Sequence, residues 1–221
     1  MEELDNVVVN TFDIKDGNVT IAKDENKTEE LKKQLSEEDI KKLQEEFKKE
    51  ADRLQDKYKI VSADIAETIE LEDVTPEEAK VIIDDKQDLY AFAELMDGIG
   101  LSASQMGINK KYFIARDMSL DGNPFKIYFN PKYYPNGTTR TTFTEGCLTY
   151  PGQQFTVKRW KNIIFHWYGF DEKGEWKKFQ KNINGINAII LQHETDHNAG
   201  YPGSNGKTPK TITMMKHVKG R

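Results

Sequence analysis

The chain has 221 residues, of which 37% are hydrophobic and 31% charged, and its formal net charge is −5. This length suits one compact catalytic domain with an appendage and excludes two large domains. The acidic balance gives no general reason to expect nucleic-acid binding, and the lack of any run of about 18 apolar residues excludes a membrane-spanning helix.

The N-terminal part of the chain is densely charged. Its first residues lack the basic end and the apolar stretch of a secretory signal, so we expect a cytoplasmic protein with no membrane partner. The first twenty or so residues fit a short hairpin or a loose arm. From residue 28 the pattern is helical, with Ser36 and Asp39 as a capping pair. We therefore predict a charged, largely helical extension over residues 1–70.

Residues 71–206 carry the patterns of a catalytic domain. Thr75-Pro76 starts a helix with proline at its first position, and we expect this helix to run to about Met96, before Gly98-Ile99-Gly100 ends it. A second helix is expected from near Asn184 to Gly200. Short strands are expected at residues 111–117, 125–131, 141–150, 154–160, 162–170 and 175–179.

These elements predict an α+β fold. Antiparallel or mixed sheets would surround a central helix that carries an HExxH sequence, because the strands are short and closely spaced. The apolar stripe of the N-terminal extension, formed by Leu43, Phe47, Ala51, Leu54 and Tyr58, would pack on this domain or on a coiled-coil partner. Residues 207–221 form a short basic tail.

The second predicted helix contains two histidines suited to one metal ion. His193 and His197 are four residues apart, so at about 100° per residue their side chains differ by only about 40° around the helix axis. Glu194 lies to one side, where it can exchange protons with a water without being a ligand. The apolar residues Ile186, Ile189 and Ile190 share the same face. The alternative, an exposed helix with incidental histidines, would not explain a buried face.

The third ligand distinguishes between classes of metal hydrolase. An extended HExxHxxGxxH protease would have a histidine where this chain has Gly203, and no acidic residue follows Asp196 to replace it. His217 lies in the polar, basic end, where a solvated histidine is the expected state. Cys147 is the only cysteine, and a thiolate with two imidazoles would form a three-ligand site with one open position. The alternative for Cys147 is a small buried side chain.

Three short segments resemble the motifs of the peptide deformylase family, in the same order. GIGLSASQ (98–105) resembles its glycine-rich motif, EGCLT (145–149) its cysteine motif and HETDH (193–197) its HExxH motif. The resemblance spans about residues 75–200. It implies an enzyme that removes formate from N-formylmethionyl nascent peptides. It also implies one divalent metal ion, iron(II), which zinc, nickel or cobalt can replace.

The resemblance implies a role for each matching residue. Cys147, His193 and His197 would bind the metal, and Glu194 would take a proton from water and deliver it to the leaving amine. The Gln105 amide and the backbone N–H of Leu148 would hold the developing oxyanion. The methionine pocket would be lined by Ile99, Glu145, Ile186, Ile189 and Ile190, for which ordinary core packing is the alternative.

Two further residues have roles with open alternatives. Gly100 would let the substrate peptide approach the main chain, because glycine has no Cβ. Asp196 would orient a ligand histidine, or would be an exposed acid. The chain departs from the family at Asn198, where leucine is usual, and at Gln154, where arginine is common. Because of these departures, the resemblance implies the reaction but does not determine the preferred peptide sequence or the reaction rate.

Other functions remain possible at this point. A metallopeptidase or another amidase could use the same Cys-His-His site, and a non-enzymatic interaction protein could be built on the charged helix of residues 28–58. The basic tail suggests contact with the ribosome, where the substrate emerges. Unchanged ribosome co-sedimentation at low salt after deletion of residues 207–221 would exclude that contact. The sequence leaves the oligomeric state undetermined and favours a monomer.

Overall fold

The structure, a computed structural model, describes residues 10–15, 18–23, 36–198 and 213–214. Strands β1 (Asn10–Lys15) and β2 (Asn18–Lys23) pair antiparallel, with Asn10 opposite Lys23. The prediction of a hairpin is therefore confirmed for these residues. The remaining residues of the first 35, and all of the predicted basic tail except 213–214, lie outside the described residues.

Helix α1 (Glu37–Lys57) begins at the predicted capping pair. Ser36 Oγ accepts a hydrogen bond from Asp39 N at 3.2 Å, and the Asp39 carboxylate accepts one from Ser36 N. Near the other end of the helix, Leu54 is only 3% exposed, whereas Leu43 and Phe47 are about half exposed. The apolar stripe therefore packs on the domain only near the C-terminal end of α1.

Three shorter helices follow, α2 (Ala63–Thr68), α3 (Pro76–Asp84) and α4 (Lys86–Leu95). The start of α3 is as predicted, since Thr75 and Glu78 form a capping box before Pro76. The prediction of one continuous helix to Met96 is wrong. The chain turns at Asp85, whose ψ of 3° is not helical and whose carboxylate accepts hydrogen bonds from Lys57 and Tyr58.

Two antiparallel sheets form the rest of the domain. The larger has the order β3-β4-β5-β8-β9, and the smaller has the order β10-β7-β6. The strands of the larger sheet are β3 (Gly100–Ser102), β4 (Tyr112–Arg116), β5 (Phe125–Pro135), β8 (Asn162–Phe170) and β9 (Trp176–Asn184). Those of the smaller sheet are β6 (Arg140–Gly146), β7 (Gln154–Trp160) and β10 (Thr213–Met214).

The predicted strands are all present, and β7 and β8 have the predicted ends, whereas the other four have changed ends. β6 ends at Gly146 rather than at residue 150, so Cys147 lies in the turn after it. β9 continues to Asn184, and β3 was not predicted. A bulge interrupts β5, where Asn130 has a φ of 48° and its side-chain amide hydrogen-bonds to the backbone N and O of Val74 at 2.7 and 2.9 Å.

Helix α5 (Gly185–Asn198) contacts strands of both sheets. It begins one residue after the predicted start, and the two residues predicted beyond Asn198 are not described. Its buried residues include Ala188 and Leu191, which pack with Phe113 and Phe165 of the larger sheet. The fold is therefore a mixture of helices and antiparallel sheets. None of the described helices is long and apolar enough to cross a bilayer.

Candidate metal centre and active site

Three potential metal ligands converge beside α5. The Sγ atom of Cys147 and one ring nitrogen from each of His193 and His197 all lie within 4.8 Å of one another. The histidines occupy successive turns of α5, and Cys147 reaches them from the turn between β6 and β7, with Sγ 3.3 Å from His197 Nε2. A thiolate and two imidazoles are suitable ligands for a divalent transition metal, so the cluster is compatible with one ion.

A buried ion-pair network supports His193. Glu145 Oε2 lies 2.8 Å from His193 Nδ1, which leaves the other ring nitrogen for the cluster. Arg159, 5% exposed, donates two hydrogen bonds of 2.8 Å to Glu145 and also pairs with Asp196. Asp196 in turn accepts a hydrogen bond from the Tyr133 hydroxyl at 3.0 Å. The acid that orients His193 is therefore Glu145, whereas Asp196 contacts Arg159 and Tyr133.

The charges in this network alter the pKa values of the acids and histidines. Burial raises the pKa of Glu145, but hydrogen bonds from Arg159 and His193 outweigh it and lower that pKa to about 2. Burial would lower the pKa of His193, whereas its hydrogen bonds to Cys147 and Glu145 raise it to about 10. Burial and the charge of His193 lower the pKa of His197 well below its usual value. A metal ion binds the neutral form of histidine.

Glu194 lies beside the cluster and is 4% exposed. Its Oε2 accepts a hydrogen bond from the Ser102 hydroxyl at 3.0 Å. Burial raises the pKa of Glu194 to about 7, although the charge of His193 and the Ser102 hydrogen bond act in the opposite direction. A carboxyl group with a pKa near neutrality can both accept and donate a proton at physiological pH.

Gly100 makes room for the Glu194 side chain. A Cβ atom at Gly100 would lie 2.8 Å from Glu194 Cγ and even closer to its carboxylate. Real Cβ contacts are essentially never this short, so any larger residue would displace Glu194. Gly100 therefore has the role of leaving space for Glu194. The sequence prediction did not include this role, because it considered only the approach of the substrate main chain.

Gln105 is held with its amide NH₂ group directed at the cluster. The residue lies in the short 3₁₀ helix (Ala103–Met106) that follows β3 and is 2% exposed. Its Oε1 accepts a hydrogen bond from Ser102 N at 2.9 Å, while Nε2 lies 3.1 Å from Thr149 Oγ1 and 3.5 Å from Cys147 Sγ. The backbone contact therefore fixes the orientation of the amide.

Comparison with known proteins identifies the family. A sequence model described as polypeptide deformylase matches residues 25–205, which is more than half of the chain. The chain belongs to this family. The peptide deformylase of Bifidobacterium adolescentis is 37% identical over 113 residues, which cover 47% of this chain and 50% of the relative. The chain thus spans about half the length of the curated relatives it matches.

Solved structures from the deformylase family share the fold. A peptide deformylase from Plasmodium falciparum superimposes with a TM-score of 0.53 and 28% identity, covering 64% of this chain and 81% of that one. One from Synechococcus elongatus, solved in complex with actinonin, gives a TM-score of 0.55 and 26% identity, covering 65% of this chain and 76% of that one.

The structure brings the predicted deformylase site residues to one open cleft of about 560 Å³. Its lining includes Ile99, Gly100, Gln105, Glu145, Cys147, Leu148, Ile186, Ile189, Ile190, His193 and Glu194. His197 is not in this lining and is 3% exposed. Ile189 and Ile190 are below 10% exposed, whereas Ile99 and Ile186 are 52% and 41% exposed. Ile186 was predicted on the buried face of the helix, and this exposure contradicts that placement.

Several residues of the site were missed by sequence reasoning. Phe143, Tyr150 and Pro151 line the cleft on either side of the cysteine motif, and their apolar character was the available signal. No local sequence pattern indicated a role for Arg159 or Ser102, because the acids that their side chains contact in the site are distant in the sequence. Gln154 begins β7, is exposed and does not line the cleft.

Proposed function

We propose that this chain is a metal-dependent hydrolase that removes the N-formyl group from formylmethionine at the N-terminus of newly made polypeptides and releases formate. The observation that carries the proposal is the convergence of Cys147, His193 and His197 within 4.8 Å, next to buried Glu194. Membership of the deformylase family supports the same reaction.

We propose that Cys147, His193 and His197 hold one divalent ion. This ion is iron(II), and zinc, nickel or cobalt can replace it. When bound, such an ion supplies Lewis-acid activation of water and of the formyl carbonyl. The HExxH sequence on α5 supplies two of the ligands and Glu194. The ion pairs of Glu145 and Arg159 keep the His193 ring in a fixed orientation.

Glu194 is the proton carrier in this proposal. Its Oε2 is hydrogen-bonded to Ser102, so Oε1 is the atom that takes a proton from the attacking water and later delivers it to the leaving amine. Its pKa of about 7 suits both steps.

Two donors are placed to stabilise the oxyanion that forms on the substrate. Gln105 Nε2 lies 3.5 Å from Cys147 Sγ and is preorganised by the hydrogen bond to Ser102 N. The backbone N–H of Leu148 follows Cys147 and makes no hydrogen bond to any described residue. Preorganised donors of this kind stabilise developing negative charge more than water does.

The methionine side chain would occupy the apolar part of the cleft. We propose that Ile99, Glu145, Ile186, Ile189 and Ile190 line this subsite, with Gly100 beside the substrate main chain. The carboxylate of Glu145 is bound by Arg159 and His193, so it contributes to the wall without an unpaired charge. The N-formylmethionyl nascent peptide in the cytoplasm is the proposed substrate, and ribosome contact through residues 207–221 remains a prediction.

Formate release from formyl-Met-Ala-Ser tests the proposal. We expect release that depends on a bound divalent metal, and no cleavage of the unformylated peptide. The substitution His197→Ala should remove metal and activity together, as measured by metal analysis of protein prepared without oxygen. His166→Ala is the matched control, because His166 lies outside the cluster. Cleavage of unformylated peptides without formate release would instead favour a metallopeptidase or another amidase.

We expect Gly100→Ala to lower kcat for formate release by about 10- to 100-fold, because the added methyl group displaces the Glu194 carboxylate and small misplacements are costly in catalysis. Steady-state kinetics on metal-loaded protein measure the effect. Gly169→Ala is the control, since its Cβ would make only ordinary contacts, the nearest at 3.5 Å to Phe179. Equal kcat values for the two variants would show that Gly100 does not act on Glu194.

A further inference from the structure

Asn198 ends α5 with its side-chain amide buried against β3. The residue is 3% exposed, and its Nδ2 donates hydrogen bonds to the backbone oxygen of Glu194 at 2.9 Å and to Ser102 Oγ at 3.2 Å. Its Oδ1 is buried and has no hydrogen-bond partner among the described residues.

Ser102 connects Asn198 with the Glu194 carboxylate. Its hydroxyl is fully buried and lies 3.0 Å from two acceptors, the backbone oxygen and Oε2 of Glu194. A serine hydroxyl has only one proton to donate. The neighbouring amide determines which acceptor receives it.

Asn198 already satisfies the first of these acceptors. Since Nδ2 donates to the Glu194 backbone oxygen, that oxygen does not require the Ser102 proton. The second N–H of Asn198 donates to Ser102 Oγ and so occupies an acceptor site on this oxygen. The Ser102 proton is then donated to Glu194 Oε2. The hydrogen bond from Asn198 to Ser102 and the one from Ser102 to Glu194 thus form a chain in which each bond strengthens the other.

We propose that Asn198 is a positioning residue that acts through Ser102 to hold the Glu194 carboxylate, leaving Oε1 available for proton transfer. The inference rests on the proposed function, because it assigns Glu194 the role of proton carrier. Asn198 itself touches neither the substrate nor the reacting atoms in this scheme. The Gln105 side chain is oriented by the backbone N–H of Ser102, whereas the Ser102 hydroxyl oxygen accepts a hydrogen bond from the Gln105 backbone N–H in the same capping box.

The test compares Asn198→Leu, Ser102→Ala and the double variant in formate release. Asn198→Leu should lower kcat about 10- to 100-fold, with KM and metal content nearly unchanged, because only the carboxylate is displaced. Ser102→Ala should lower kcat to a similar extent. The double variant should be no slower than Ser102→Ala alone, since both substitutions interrupt the same path.

Asn187→Leu is the matched control in the same helix. Its amide contacts Asp117 and Met118 N instead of Ser102, so this substitution should lower stability and leave kcat of the folded, metal-loaded protein unchanged. If Asn198→Leu fails to fold, Ser102→Ala and Asn198→Ala supply the comparison, because both remove a donor without adding a charge. We expect both to lower kcat with KM nearly unchanged.

Failure of this inference and failure of the proposed function give different experimental results. An active wild-type protein with normal kcat in Asn198→Leu, or multiplicative effects in the double variant, would overturn this inference alone. If Asn198→Leu does not fold, normal kcat in Ser102→Ala or Asn198→Ala would overturn this inference in the same way. A wild-type protein that releases no formate with any divalent metal would overturn the proposed function and this role together.

Discussion

Glu194→Gln is expected to reduce kcat for formate release by about 10²- to 10⁴-fold, the usual contribution of a general acid and base. Glutamine has nearly the same shape as glutamate, and its amide oxygen can still accept the Ser102 hydrogen bond, but it cannot carry the proton between water and the leaving amine. Because Glu194 is not one of the three converging ligands, metal content should be unchanged. Steady-state kinetics and metal analysis on the same preparation measure both quantities.

Glu172→Gln is the control for this substitution, because Glu172 is an exposed acid in the turn between β8 and β9. It should leave kcat and metal content as in the wild-type protein. Unchanged activity in Glu194→Gln would contradict the proton-transfer role. Loss of metal in parallel with activity would show that Glu194 acts on the metal site instead.

The second large effect concerns stability. Arg159→Met is expected to lower the free energy of unfolding by about 3 to 5 kcal/mol, because it removes the guanidinium that neutralises the buried Glu145 carboxylate and also pairs with the partly buried Asp196. The side chains of Arg159 and Glu145 are only 6% and 7% exposed, so water cannot replace the lost ion pair. Urea unfolding of both proteins at the same concentration of metal measures the difference.

Arg53→Met provides the comparison for that measurement. Arg53 also pairs with two carboxylates, Glu50 and Asp88, but its side chain is 46% exposed, so solvent screens the pairs and the loss should be much smaller. Equal losses in the two variants would mean that burial does not determine the contribution of the Arg159 network.

Local signals in the chain predicted the elements that depend on neighbouring residues. The capping pair at Ser36 and the helix start at Thr75-Pro76 were predicted correctly, because both signals involve groups only a few residues apart. The four-residue spacing of His193 and His197 placed both rings on adjacent turns of one helix. Strand positions followed from short apolar segments and turn residues; β7 and β8 have the predicted ends, whereas one end of β5, β6 and β9 differs by several residues.

Packing between residues that are distant in the sequence determined the features that local sequence signals did not predict. The break at Asp85 has no glycine or proline to mark it, and its carboxylate accepts hydrogen bonds from Lys57 and Tyr58 at the C-terminal end of α1. The partner of His193 is Glu145, which is 48 residues away in the sequence, while the nearby Asp196 is drawn to Arg159. Asn198 and Ser102 are 96 residues apart and meet only because α5 packs on β3. The candidate ligands could thus be predicted from spacing and residue type, whereas the groups that orient them depend on long-range packing, which local patterns do not encode.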